Sequence, residues 1–157
     1  MGETHYGLAS REQIAQLSGL ELLQGLIEGT APAPHMARTL GFRLVEVAPG
    51  FAAFEGQPSQ DFLNPLGTVH GGWALTLIDS AAGCALHTEL GPGIGYTTVE
   101  TKVNFSRPIA PDSGTVRCEG RVVTRGRQIA TAEARLTSAE GKILAHGTST
   151  LIILPPR

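Results

Sequence analysis

The stretch Asn64-Pro-Leu-Gly-Thr-Val-His70-Gly-Gly-Trp-Ala-Leu-Thr-Leu-Ile-Asp79-Ser-Ala-Ala-Gly-Cys-Ala-Leu86 limits the possible folds more than any other part of the chain. From Trp73 to Leu86 it is apolar or small on every side, the pattern of a helix enclosed by the rest of the fold. Asp79 interrupts this run. The helix carries no Lys or Arg to pair with it, and a carboxylate buried without partners is strongly unfavourable, so groups outside the helix are expected to account for it. His70-Gly71-Gly72 puts two residues without side chains at the helix entry. Backbone N–H groups at the positive end of the helix dipole should therefore be open to an anion or a polarised carbonyl.

Asn64, the Gly71 amide and Asp79 are what acyl transfer requires: a group to hold water, an oxyanion donor, and a base or nucleophile. Each also has a structural alternative. A Gly-Gly pair can be a flexible helix entry, a His at a helix start can be a satisfied structural residue, and an Asp within a helix can bond a neighbouring backbone group. Gly71 and Asp79 would lie about 12 Å apart along one helix axis, too far to act on one carbonyl within a single chain. An antiparallel partner helix related by a two-fold axis would bring them together.

The remaining sequence narrows the setting. At 157 residues, 41% of them hydrophobic, the chain suits a single domain with a substantial core. A net charge of −2 gives no footprint for nucleic acid or an anionic membrane, since Lys and Arg form no block beyond local pairs such as Arg125 and Arg127. Binding is expected to involve a small molecule or a protein. Cys84 and Cys118 read as buried free thiols suited to a reducing cytoplasm, and no Cys/His spacing suits a metal. No signal peptide and no apolar run of membrane-spanning length is recognisable. Nucleophile-elbow serine hydrolase, His-Glu-x-x-His and phosphate-loop motifs are absent, and Gly91-Pro-Gly-Ile-Gly95 precedes a strand instead of opening a helix.

In chain order, Met1 to Ala9 is a polar lead expected to be poorly ordered. Ser10 to Gln13 reads as a capping box, and Ile14, Leu17, Leu20, Leu23 and Ile27 continue one amphipathic helix to Gly29 and the Ala-Pro-Ala-Pro run. A single non-basic helix ended by prolines is too little for a DNA-binding helix-turn-helix. Phe42–Val47 and Phe51–Glu55 flank the Pro49-Gly50 turn as a hairpin, and a loop over 60–69 leads to the central helix. Alternation then puts Val99, Thr101, Val103 and Phe105 on one face of a long half-buried strand and Thr98, Glu100, Lys102 and Asn104 on the other. Strands follow at 115–124, after Gly126, and up to Leu154. The expected architecture is α+β: residues 1–34 as an N-terminal extension with an amphipathic helix, and 35–157 as an antiparallel sheet wrapped around one long central helix.

The run Asn64-x5-His70-Gly71-Gly72-x6-Asp79 resembles that of the hotdog-fold acyl-CoA thioesterases of the phenylacetate-degradation (PaaI-type) branch. The resemblance extends over roughly 35–154, through Thr98-x6-Phe105-x-Arg107-Pro108, Arg125-Gly126-Arg127 and Gly147-Thr148. It implies hydrolysis of an aryl- or fatty-acyl-CoA without metal or separate cofactor, with Asp79 as nucleophile or general base and the Gly71 N–H as oxyanion donor. It further implies that Asn64 orients water or carbonyl, that His70 supports the oxyanion end, and that Thr98 (or Thr97, by a one-residue shift) holds water beside Asp79. Arg107, Arg125, Gly126 and Arg127 become candidates for contacting the CoA phosphates. A cytoplasmic homodimer or dimer of dimers with composite sites is implied as well. Two alternatives remain: a hotdog dehydratase, whose Pro-Gly-x-Pro context is missing around His70, and a non-catalytic acyl-CoA-binding module.

Overall fold

The computed structural model describes residues 4–156. Three short helices, α1 (Arg11–Gln16), α2 (Gly19–Glu28) and α3 (His35–Thr39), precede the hairpin β1 (Phe42–Ala48) and β2 (Phe51–Gly56). The central helix α4 (Gly71–His87) follows, and then β3 (Gly95–Phe105), β4 (Val116–Arg125), β5 (Ile129–Thr137) and β6 (Ile143–Leu154). All pairings are antiparallel, in the order β1-β2-β4-β5-β6-β3. The sheet curls around α4 in the expected α+β hotdog architecture.

Small residues let the helix approach the sheet. Ala52, Ala132, Ala134 and Ala145 line the buried inner face, while Trp73, Leu77, Ile78 and Leu86 supply the bulk from α4. At the closest point even a methyl group is too large: a Cβ on Gly120 would stand 2.2 Å from the Ala81 carbonyl oxygen. The far end of α4 is tied to the β1–β2 turn. Gly50, in the left-handed conformation at φ 71°, donates its N–H to Thr88 Oγ1 at 2.8 Å.

Three sequence expectations need correction. The amphipathic helix is two helices, because Ser18 and Glu21 form a second capping box that restarts the chain after Leu17. The apolar spacing continues across this break and conceals it. The lead is partly ordered: Tyr6 bridges Ala33, and Gly7 N–H donates to the Ala33 carbonyl at 2.9 Å; residues 1–3 of that lead lie outside the described residues. Cover of α4 is also incomplete, since one flank carrying Leu75, Thr76, Asp79 and Ser80 opens beside the edge strand β3. Among the described residues no helix is long and apolar enough to cross a membrane.

Gly120→Ala should lower unfolding free energy by about 3 kcal/mol or prevent folding, because the added methyl meets the α4 backbone at Ala81 and Ala82, which cannot move aside as a side chain would. Ser18→Ala, which removes only a cap, should cost about 1 kcal/mol. Urea denaturation of both variants checks the ranking.

Candidate active site

His70 is the N-cap of α4, and its Nδ1 accepts the Gly72 N–H at 2.9 Å. That bond assigns the neutral tautomer, leaving the ring proton on Nε2 at the exposed side. Of the two amides expected to be bare, Gly72 is therefore taken. Gly71 N–H alone has no hydrogen-bond partner among the described residues. The Phe105 ring lies against Gly71, where a Cβ would come within 3.1 Å of it, so a larger residue would require the ring to shift.

Asn64 stands beside Gly71 on a tight loop closed by the Leu63–Val69 bridge. Its Oδ1 accepts N–H groups from Leu66 at 2.9 Å and Thr68 at 3.3 Å, and its Nδ2 donates to Thr68 Oγ1 at 2.8 Å. Two backbone donors on Oδ1 fix the amide's orientation and leave one proton of the NH₂ group for a ligand. Asn64, Gly71, Phe105 and Arg107 line one cavity of about 330 Å³.

Asp79 lies two turns further along α4, outside that cavity. It is half-buried on the open flank, and the groups expected to account for it are hydroxyls: Thr98 and Thr101 both donate to its Oδ1 at 3.0 Å. Oδ2 has no partner among the described residues. One carboxylate oxygen is thus anchored and the other is left for chemistry. Asp79 and Thr98 line both a groove of about 350 Å³ against β3 and a larger, mainly apolar cavity of about 450 Å³.

Thr101 was missed from the sequence, where alternation put it on the face opposite Thr98. A bulge between Thr98 and Glu100 turns Val99 outward and aims both threonines at Asp79. There was one signal. Strict alternation with Thr98 inward would also drive Glu100, Lys102 and Asn104 toward the apolar helix, and only an added residue resolves that conflict. Thr97 is exposed. Behind Thr101, buried Ser149 lies 3.0 Å from its hydroxyl and donates to the Glu100 carbonyl at 3.1 Å.

The arginines are dispersed. Arg107 sits at the Gly71 cavity and donates to the Ile143 carbonyl at 2.6 Å. Arg125, Gly126 and Arg127 form the β4–β5 turn near the C-terminal end of α4, where Arg125 donates to the Glu89 carbonyl at 2.7 Å. None of these three lines the cavities around Gly71 or Asp79.

Cys84 is a free thiol on the larger cavity wall. Desolvation pushes its pKa up to about 12, aided by the Asp79 charge and opposed by a bond from Tyr96, so it is a poor nucleophile at neutral pH. Burial likewise raises the Cys118 thiol and, with the Cys84 and Asp79 charges adding to it, the Tyr96 phenol.

The model of the Thioesterase superfamily matches residues 66–145. Human acyl-coenzyme A thioesterase 13 is 32% identical over 132 residues, covering 82% of this chain and 91% of that protein. A phenylacetic acid degradation-related protein of Ralstonia eutropha superposes with a TM-score of 0.76 at 28% identity, over 83% of this chain and 98% of that one. The Escherichia coli PaaI protein has the same fold, with a TM-score of 0.76 at 19% identity over 88% and 95% of the two chains.

The three raised acids carry a pH dependence of fixed sign. Because each holds its proton more tightly when folded than when unfolded, the stability they confer is complete below about pH 9 and falls as pH rises from there toward the folded-state values. Urea midpoints should therefore drop between pH 8 and 11. Native Cys84 should react with iodoacetamide at pH 8 about 10³-fold more slowly than after unfolding, measured by mass spectrometry.

Proposed function

Since the chain belongs to the thioesterase superfamily, we propose that it hydrolyses an acyl-CoA thioester to the free acid and CoA. The observation that carries this is the Asp79 carboxylate, held through Oδ1 by two threonine hydroxyls while Oδ2 has no partner among the described residues and the residue lines a mainly apolar cavity. The human relative, an acyl-coenzyme A thioesterase by name, supports the same substrate class.

In this proposal the thioester carbonyl accepts hydrogen bonds from the Gly71 N–H and the spare Asn64 Nδ2–H. His70 is a positioning residue that caps α4 by accepting the Gly72 N–H, next to the Gly71 amide. Negative charge developing on the carbonyl oxygen is stabilised there by two donors and the helix dipole. Asp79 then acts in one of two ways. As general base it removes a proton from water, the water oxygen bonds to the carbonyl carbon, and the C–S bond breaks to release the CoA thiolate, which takes up the proton. As nucleophile its Oδ2 forms an acyl anhydride with loss of CoA thiolate, and water then hydrolyses the anhydride. Neither route calls on a metal or separate cofactor. Arg107, beside the Gly71 cavity, is positioned to meet a CoA phosphate, and Arg125, Gly126 and Arg127 would have to reach the more distant end of the ligand.

A two-chain site accounts for the spacing. The eight residues from Gly71 to Asp79 span about 12 Å of helix, and their cavities are separate within one chain. Beside the open flank of α4 runs β3, an 11-residue edge strand whose Val99 and Phe105 are both 57% exposed. An edge of that length with apolar side chains invites pairing with a second copy. A two-fold pairing would set Asn64 and Gly71 of one protomer against Asp79, Thr98 and Thr101 of its partner.

Asp79→Asn should lower kcat by about 10² to 10⁴ while the protein stays folded, and Thr101→Val by about 10-fold, with Thr97→Val unchanged; thiol release from a panel of aryl- and fatty-acyl-CoAs is the assay. Turnover of none of the panel, with acyl-CoA still bound, would leave a binding module in place of the enzyme. Refolded mixtures of Asn64→Ala and Asp79→Asn subunits should regain roughly a quarter of wild-type activity, because each heterodimer has one intact site. Activity no greater than that of the separate variants would assign the site to one chain.

A further inference from the structure

The larger cavity beside Asp79 has a wall that the family match does not include. The match begins at residue 66, whereas Leu26 and Ile27 of α2, Met36 of α3, and Leu44 and Phe54 of the first hairpin all line this cavity. A bulge between Leu44 and Glu46 breaks the regular pairing of β1 where it borders the space. Asp79 and Thr98 line the same cavity, together with Ser80 and the Arg43–Glu55 ion pair, so the reacting group and a body of apolar surface share one space.

The wall is braced on several sides. Gly19 N–H donates to the Leu90 carbonyl at 2.9 Å, and a Cβ on Gly19 would fall 1.8 Å from the His87 carbonyl oxygen, which locks the start of α2 against the end of α4. Gly93 N–H donates to the Ile14 carbonyl at 2.8 Å. After the Gly29 cap, Ala33 is held by Tyr6, whose ring also takes the Arg38 guanidinium at 5.5 Å.

We infer that the N-terminal helices form the far wall of the acyl pocket and set its length limit through Leu26 and Ile27, selecting an acyl group of medium length. This rests on the thioesterase reading above. The size follows from volume: a dry apolar cavity of about 150 Å³ holds one six-carbon benzene, so roughly 450 Å³ would hold about 18 carbons, and about a dozen once the space beside the polar lining of Asp79, Ser80, Arg43 and Glu55 is set aside. Rigid apolar walls discriminate by about 10-fold or more per methylene that does not fit. Leu26 and Ile27 are half-buried, so changes there alter the cavity more than the core.

The test pairs variants of opposite sign. Leu26→Ala and Ile27→Phe are assayed with the wild-type protein on butanoyl-, octanoyl-, dodecanoyl- and hexadecanoyl-CoA, and the quantity read is the ratio of kcat/KM between chain lengths. Leu26→Ala, which removes three carbons, should raise the hexadecanoyl-to-octanoyl ratio about 10-fold. Ile27→Phe should lower the dodecanoyl-to-butanoyl ratio by a similar factor. Ratios that stay constant, or move the same way in both variants, overturn the assignment even if hydrolysis is robust. Turnover of aryl-acyl-CoAs but of none of the four overturns the medium-length assignment; should the wild-type protein hydrolyse neither these four nor the aryl-acyl-CoAs, the thioesterase reading fails by itself, and calorimetric binding of butanoate and dodecanoate decides the pocket. A selective loss of dodecanoate affinity in Ile27→Phe supports the wall, and equal affinities for variant and wild type remove it.

Discussion

The contact between the α4 backbone and the inner face of the sheet is the constraint on which the other features depend. With Gly120 against the Ala81 carbonyl and alanines on the neighbouring strands, helix and sheet approach more closely than larger side chains would permit. Such packing leaves α4 little freedom to rotate about its axis or slide along it. Trp73 reinforces this at the N-terminal turn by stacking on Phe62 and donating its indole N–H to the Leu40 carbonyl. The fixed rotation turns Ala74, Leu77, Ile78 and Ala81 into the core and leaves Asp79 on the open flank at the sheet edge, within reach of β3.

The pinned helix presents two sets of groups at different heights. Its N-terminal turn offers a donor, Gly71 N–H, kept free because His70 caps the adjacent amide and because Asn64 is bound into its own loop with one proton to spare. Two turns later it offers an acceptor, Asp79, restrained at one oxygen by β3. If they serve one reaction as proposed, donor and acceptor are built by one helix yet lie too far apart to meet within it. The long edge strand next to the acceptor supplies the physical basis for completing the site with a second copy.

The proposed recognition of the acyl group draws on a different part of the chain. The family match covers the helix and the strands that carry the reacting groups, whereas the apolar wall facing Asp79 comes from the N-terminal helices and the first hairpin. On the proposed reading, chemistry and selectivity would reside in separate segments. Substitutions in α2 can reshape the cavity without disturbing the hydroxyls that hold Asp79.

Much of this was written locally in the sequence. The apolar run of α4, its His-Gly-Gly entry, the Pro49-Gly50 turn and the alternation in the later strands each follow from dihedral preferences and side-chain periodicity, which neighbouring residues express without outside help. Asp79 could be recognised as anomalous because a carboxylate in an apolar helix needs partners from elsewhere. Which partners it has was decided by tertiary structure. The bulge at Val99 is a matter of register between β3 and β6, and it alone brings Thr101 alongside Thr98. The commitment of Gly72 N–H to His70, the dispersal of Arg107 from Arg125 and Arg127, and the cavity under α2 likewise arise from long-range packing. Local sequence encodes which faces are apolar and where elements begin and end, but the pairing of one face with another depends on close approach between residues far apart in the chain.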